Sequence, residues 1–323
     1  MFQAQSIRKD FPLFQKNPQG QALVYLDNAA TSQKPQEVLD ALLNFYQQDN
    51  ANVHRGIYQL SERASQAYEN ARQLVADFFH VKNTEIIFTR NTTEGLNLLA
   101  NSLAKDIQAG EEILVSDTEH HSNFLPWQRL AKDRAAKLVI LPSENGKFSW
   151  TNFEKYFTAK TRIVALAQMS NVTGFAFPIQ KIAQRVHQQK SLLVVDGAQG
   201  AAHLASNLRQ LDCDAYAFSG HKVFGPMGIG ALFIKSSLLE SLEPYQLGGG
   251  MIEVVTPEKS SFLAGPEKFE AGTPNVAGAI GLAAALQYLQ QFSMQEIAEY
   301  EEKMTVQLKQ ALLKIPGIKL VGD

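Results

Sequence analysis

The sequence predicts an α/β fold: a large domain on an open, mostly parallel sheet with helices on both faces, then the start of a smaller C-terminal α/β domain. Three observations lead there. Short apolar runs alternate with stretches of helical spacing along most of the chain. Several of those runs are apolar on both faces, as buried strands of a parallel sheet are. Near residue 245 the composition shifts to glycine and proline, and the segment after that shift is helical.

Residues 1–20 are read as an N-terminal arm, since MFQAQSIRKDFP lacks the apolar core of a signal peptide. The large domain is assigned to 21–255. Its strands are EIIFT (85–89), EILVS (112–116), KLVIL (137–141), RIVALAQ (162–168), SLLVVDGA (191–198), DAYAFS (214–219) and GALFIK (230–235). Between them, TTEGLNLLANSLAKDI and IQKIAQRVHQQK carry apolar residues at helical spacing. The small domain is assigned to 256–323. A long connector, 247–275, leads into VAGAIGLAAALQYLQQFSMQEIAEYEEKMTVQLKQALLKI, which reads as two helices or one interrupted helix. A strand-like IKLVG comes next, so the small domain is expected to be incomplete. The apolar faces carrying Leu282, Leu286, Leu289 and Phe292 are then expected to be partly exposed.

A chain of 323 residues can bury one large core and a smaller one. Its net charge of −2 argues against a nucleic-acid partner. No apolar run approaches the roughly 20 residues that span a bilayer. A single cysteine, Cys213, excludes an intrachain disulfide framework. A soluble, cytoplasmic protein is expected.

In an open α/β sheet, ligands bind at the carboxyl ends of the strands. The polar residues expected there are Thr92 and Thr93 after EIIFTRN, His120 and His121 after EILVSDTE, Asn171 after RIVALAQMS, Asp196 and Gln199 in SLLVVDGAQ, and Lys222 after DAYAFS. Each has a plain reading. Thr92 or Thr93 can simply cap a helix, Asp196 can be a solvated carboxylate, and Lys222 a surface charge. The paired histidines suggest a metal, but neighbours at a strand end point in different directions and no HExxH or carboxylate partner is present. No metal is expected. Taken together, the set suits one cofactor. Pyridoxal 5′-phosphate (PLP) needs a lysine for a Schiff base, an acid beside its ring nitrogen and an anion cradle. Lys222 and Asp196 can supply the first two. Thr93, Ser219 and His221 can hold phosphate, His120 can stack on the ring, and Asn171 and Gln199 can bond its oxygen. The glycine run GPMGIG is not G-x-G-x-x-G, and no P-loop exists.

The blocks YLDNAATSQKP, NVHRG, TRNTTEGLNLLA, TEHHSNFLPW, SNVTG, VDGAQGAAH, DAYAFSGHKVFGPMGIGAL and FEAGTPN together resemble the class V aminotransferase family of PLP fold type I. Within it the chain is most similar to SufS-type (group II) cysteine desulfurases and selenocysteine lyases, over residues from about 10 to the C-terminus. The resemblance implies a seven-stranded, mostly parallel sheet. It implies Lys222 as the Schiff-base lysine, Asp196 at the pyridine nitrogen, and His120 on the ring, with Lys222 and His120 as the catalytic pair. Gln199 and Asn171 would face the cofactor oxygen, and Thr92, Thr93, Ser219 and His221 would form the phosphate side. Thr273 would reach the phosphate of a neighbouring subunit, so a homodimer is implied. Asn28 and Arg55 would lie near the substrate.

The activity implied is conversion of L-cysteine (or L-selenocysteine) to L-alanine. The freed Lys222 amine acts as base at the α-carbon, and a protein cysteine takes the sulfur as a persulfide. The sulfur then passes to a SufE-like acceptor for iron–sulfur assembly. In the family that cysteine, and an arginine gripping the substrate carboxylate, lie beyond the position matching Asp323. Cys213 opens the strand that ends in Ser219. At ~3.3 Å per residue it sits roughly 20 Å from the site, so it is read as a small buried residue. Impaired activity is therefore expected. The alternatives are another enzyme of the family (a selenocysteine lyase, epimerase or aminotransferase) or a non-catalytic PLP-binding remnant.

Overall fold

The computed structural model describes residues 3–15 and 23–320. All seven expected strands form: β1 (Ile86–Thr89), β2 (Glu112–Ser116), β3 (Lys137–Leu141), β4 (Thr161–Ala167), β5 (Leu192–Asp196), β6 (Ala215–Ser219) and β7 (Gly230–Ile234). They build one sheet in the order β1-β7-β6-β5-β4-β2-β3. Strands β2 to β6 pair in parallel, and only β7 runs against its neighbours.

Successive residues of each strand feed opposite faces. Leu114, Val164, Leu166, Val195 and Phe218 enter one core, and Ile113, Val115, Ile163, Ala165, Val194 and Ala217 the other. The first core is covered by helices Gln59–Phe78, Ile179–His187 and Val276–Gln290, the second by Thr92–Ser102 and Leu125–Asp133. Burial on both faces explains why these strands read as continuous apolar runs. The parallel strands end at one edge, so Ser116, Ala167, Asp196 and Ser219 close their strands on the same side of the sheet. Strand β7 begins there, with Gly230 opposite both Ser219 and Thr89. A Cβ on Gly230 would lie 2.4 Å from the Phe218 carbonyl oxygen, so no larger residue fits this crossing.

Three expectations differ from the structure. The connector holds a hairpin, β8 (Ile252–Val255) with β9 (Ser260–Phe262). Leu282, Leu286 and Leu289 are buried, because helix Val276–Gln290 is apolar all round and packs on helices Gln36–Asn44 and Gln59–Phe78. The unburied helix is instead Met294–Leu312, which has no buried residue. Ile318–Leu320 are not in a strand, and the last part of the IKLVG reading, 321–322, lies outside the described residues.

Candidate active site

A cavity of about 510 Å³ opens at the carboxyl edge of the sheet, and nine residues singled out from the sequence line it: Thr92, Thr93, His120, Asn171, Asp196, Gln199, Ser219, His221 and Lys222.

Asp196 ends the central strand β5 and is buried. Its Oδ1 accepts the Ala198 N–H at 2.8 Å. Burial pushes its carboxyl above the usual range, while the Ala198 amide and the nearby Lys222 and His120 charges pull the other way. The loop after it is pressed onto the strand floor: a Cβ on Gly197 would lie 2.0 Å from the Tyr216 ring. Tyr216 in turn donates to Gln168 Oε1 at 2.7 Å. Gln199 donates to the Ala29 carbonyl at 2.8 Å and draws segment 27–31 over the cavity.

Lys222 lies in a short turn directly after β6. Burial lowers its pKa, opposed only by the attraction of Asp196. The turn is stitched to the N-terminal segment. The His221 carbonyl accepts from Ser32 N at 2.9 Å and Ser32 Oγ at 3.0 Å, and Ser32 Oγ accepts from Phe224 N at 2.9 Å. Burial, with Lys222 and Lys34 adding, lowers the His221 imidazole.

The helix Thr92–Ser102 points its first turn into the cavity. Asn91 caps it by accepting from Glu94 N at 3.0 Å. Ser219 Oγ accepts from Thr92 N at 2.9 Å and contacts Thr92 Oγ1 at 2.7 Å. Thr93 is exposed to the cavity, and its Oγ1 contacts Ser122 Oγ at 2.7 Å. Ser122 Oγ also contacts His120 Nδ1 at 3.0 Å, and Ser122 N donates to the same nitrogen at 3.1 Å. Burial lowers the His120 pKa, with Asp196 opposing and Lys222 and His121 assisting.

Three residues fall outside this cavity. Thr273 lines a separate one of about 370 Å³ with Tyr68, Arg90, Gly228 and Asn275. Asn28 lines a third, apolar one of about 290 Å³, which Lys222 also lines together with Phe224, Tyr288 and Phe292. Arg55 is exposed and lines none of the three. Sequence reading missed Asn91 and Ser122, although both sit inside quoted blocks. It also missed Glu119, whose carboxyl accepts from Asn123 Nδ2 at 2.6 Å, Ser116 Oγ at 2.9 Å and Ala167 N at 3.1 Å. Burial raises Glu119 to about 8, and Asp196 adds to the rise.

The family model "Aminotransferase class-V" matches residues 24–323. The chain belongs to the class V aminotransferase family. A probable cysteine desulfurase of Vibrio cholerae is 45% identical over 325 residues, all of this chain and 80% of that protein. A cysteine desulfurase of Synechococcus elongatus is 42% identical over 324 residues, 99% of this chain but 52% of that protein. The chain thus spans about half the length of the second relative. The crystal structure of the cysteine desulfurase CsdA from Escherichia coli superposes with a TM-score of 0.90 at 40% identity, covering 98% of this chain and 79% of that one. The structure of C-DES with glycine covalently linked to its PLP cofactor matches with a TM-score of 0.83 at 26% identity, over 96% of this chain and 80% of that one.

The cavity of this class V aminotransferase fits PLP by its donor set. Asp196 is a buried carboxylate whose one described hydrogen bond comes from a neutral amide, and a protonated ring nitrogen would add a charged donor to it. Thr93, at a helix N-terminus, offers N–H and hydroxyl groups to a phosphate. Lys222 is a lysine that burial drives toward the neutral, nucleophilic amine.

Proposed function

We propose that this chain is the cofactor-binding body of a PLP-dependent cysteine desulfurase, which removes sulfur from L-cysteine, leaves L-alanine and passes the sulfur to an acceptor protein for iron–sulfur assembly. The observation that carries it is the meeting of Lys222, Asp196 and His120 in one cavity with the Thr93 cradle, in a chain whose relatives bear that name.

Lys222 would hold the cofactor through its amine, and as a free amine it would move the proton of the substrate α-carbon. Its lowered pKa suits both tasks. Asp196 holds a proton at the ring nitrogen, and bound PLP supplies the electron sink for the α-carbon. His120 would hold the ring, and Gln199 and Asn171, which line the same cavity, would bond its oxygen. Thr92, Thr93, Ser219 and His221 hold the phosphate. Asn28, beside Lys222 in the apolar cavity, and Arg55 are assigned to the substrate side.

The sulfur-accepting thiol is assigned outside these residues. Cys213 is the single cysteine of the sequence; it is fully buried, and burial, with Asp214 adding, pushes its thiol far above the usual range. We also assign Thr273 to the phosphate of a second copy in a homodimer. In support, its cavity is separate from that of Lys222, and Met227 and Leu247, beside its lining residues Gly228 and Gln246, are 68% and 70% exposed.

The test is the visible absorbance of the chain with PLP, before and after L-cysteine. A yellow band that survives dialysis, and that cysteine shifts without release of alanine until an external thiol is added, is the expected result. No band overturns the reading. Sustained alanine release without added thiol overturns the assignment of the nucleophile.

Asp196→Asn carries a second expectation. The amide cannot act as the anionic partner of a ring proton, so thiol-assisted alanine formation should fall by on the order of 10²–10³-fold. PLP should still be retained through Lys222. Equal rates in the two proteins would remove Asp196 from the mechanism.

A further inference from the structure

Two hydroxyls connect the phosphate cradle to the ring-facing histidine. Thr93 Oγ1 and Ser122 Oγ are 2.7 Å apart, Ser122 Oγ and His120 Nδ1 are 3.0 Å apart, and either hydroxyl can be the donor in the first contact. We propose that Ser122 is a positioning residue whose hydroxyl hydrogen is switched by phosphate: toward His120 Nδ1 when the cradle is empty, toward Thr93 when an anion is bound. The inference rests on Thr93 being a phosphate ligand, as the functional reading has it.

Each hydroxyl has one hydrogen to donate. With no anion, Thr93 donates to Ser122 and Ser122 donates to Nδ1. The Ser122 N–H also points at Nδ1, at 3.1 Å, so two donors hold the imidazole neutral with its proton on Nε2. When Thr93 gives its hydrogen to a phosphate oxygen, the 2.7 Å contact must be made by the Ser122 hydrogen. Ser122 Oγ then presents a lone pair to Nδ1 and accepts from it if the ring takes a second proton, while the backbone Ser122 N–H stays aimed at Nδ1 with or without phosphate and opposes that proton equally in both states. Seating the phosphate therefore makes His120 a better proton holder at the cofactor face. The charged or titratable groups around His120 are Asp196, Lys222 and His121, and changing Ser122 removes none of them.

The experiment tracks the ring ¹⁵N signals of His120 in the cofactor-free chain, assigned with a His120→Gln variant. Titrations are run with saturating inorganic phosphate and with chloride at equal ionic strength. Phosphate should raise the His120 midpoint through its own charge in any variant. In the parent chain the rise should exceed that in Ser122→Ala by roughly 0.5–1 pH unit, the worth of one hydrogen bond reversed. Ser122→Thr should restore the difference. Equal rises in parent and Ser122→Ala overturn the switch, as does no rise with phosphate bound or no phosphate binding. A chain that fails these tests yet forms the lysine-linked band with PLP leaves the functional reading standing; a chain that binds neither phosphate nor PLP overturns both.

Discussion

Lys222→Ala is expected to give a folded protein that loses PLP on dialysis and shows no lysine-linked visible band. Thiol-assisted alanine formation should fall by on the order of 10²–10⁴-fold from lost proton transfer alone, and further from the lost covalent link. The reason lies in how Lys222 is held. It is partly buried, and the only favourable influence on its charge is Asp196, which does not offset the loss of water. Alanine removes that cost, so the melting temperature should stay level or rise. This separates the variant from a folding defect. Absorbance after dialysis, thermal melting and alanine formation check it together. A persistent lysine-linked band would move the role to another amine, and Lys34, which burial lowers to about 8, would be the first to examine.

Arg72→Ala should destabilise the chain by about 3–5 kcal/mol, read as a fall in the urea midpoint, because it leaves a buried carboxylate without its partner. The Arg72 guanidinium forks onto Glu270, with Nη1 to Oε1 at 2.6 Å and Nη2 to Oε2 at 2.9 Å, and also donates to the Ile86 carbonyl at 2.8 Å. Its Nε donates to Glu69 at 3.0 Å, and the group lies over the Tyr68 and Phe88 rings. Side-chain exposures of 2% and 9% for Arg72 and Glu270 place the pair among buried ion pairs. Burial works against the guanidinium charge, and Glu270 more than restores it. Glu270 also accepts from Phe88 N at 2.7 Å and Tyr68 Oη at 2.8 Å. The carboxylate is thus held by three partners at once, and no small side chain replaces Arg72. Arg72→Lys should recover part of the loss, since a point charge cannot supply the fork. An unchanged midpoint in Arg72→Ala would show that the pair contributes nothing. Because Glu270 stands three residues before Thr273, loosening it should also weaken any role of that loop in a second copy.

Most of the cavity was legible because its residues come directly after strands, and strand ends of a parallel sheet converge by construction. Lys222, Asp196, His120 and Thr93 come from four different strand ends and needed only that rule. Ser122 was not legible, since nothing in HHSN says which of four polar neighbours turns inward; that is decided by the short turn His121–Asn123. Arg72 and Glu270 are 198 residues apart, and pairing of that kind leaves no periodic trace. The helix at Val276 misled for a related reason. Its leucines looked like a face awaiting a partner, and the partner was two helices from the start of the chain. The hairpin in the connector was hidden by glycines and prolines that form its borders.

The reversed strand β7 has a consequence for motion. A parallel neighbour would need a long crossover after β6. An antiparallel one lets the chain return within residues 220–229, closed by Gly220 N to the Ile229 carbonyl at 2.9 Å and Gly225 N to the Gly220 carbonyl at 2.9 Å. The lysine-bearing turn is therefore fastened to β6 and to the start of β7, and only its tip at Met227 and Gly228 is exposed. The bonded amides of Gly220, Val223 and Gly225 should exchange with solvent more slowly than those of the exposed Met227 and Gly228 at the tip of the same turn. Any travel of the reactive amine is then rotation about the four carbons of one side chain, and a single residue inserted into this turn should be tolerated far less than one inserted between β8 and β9.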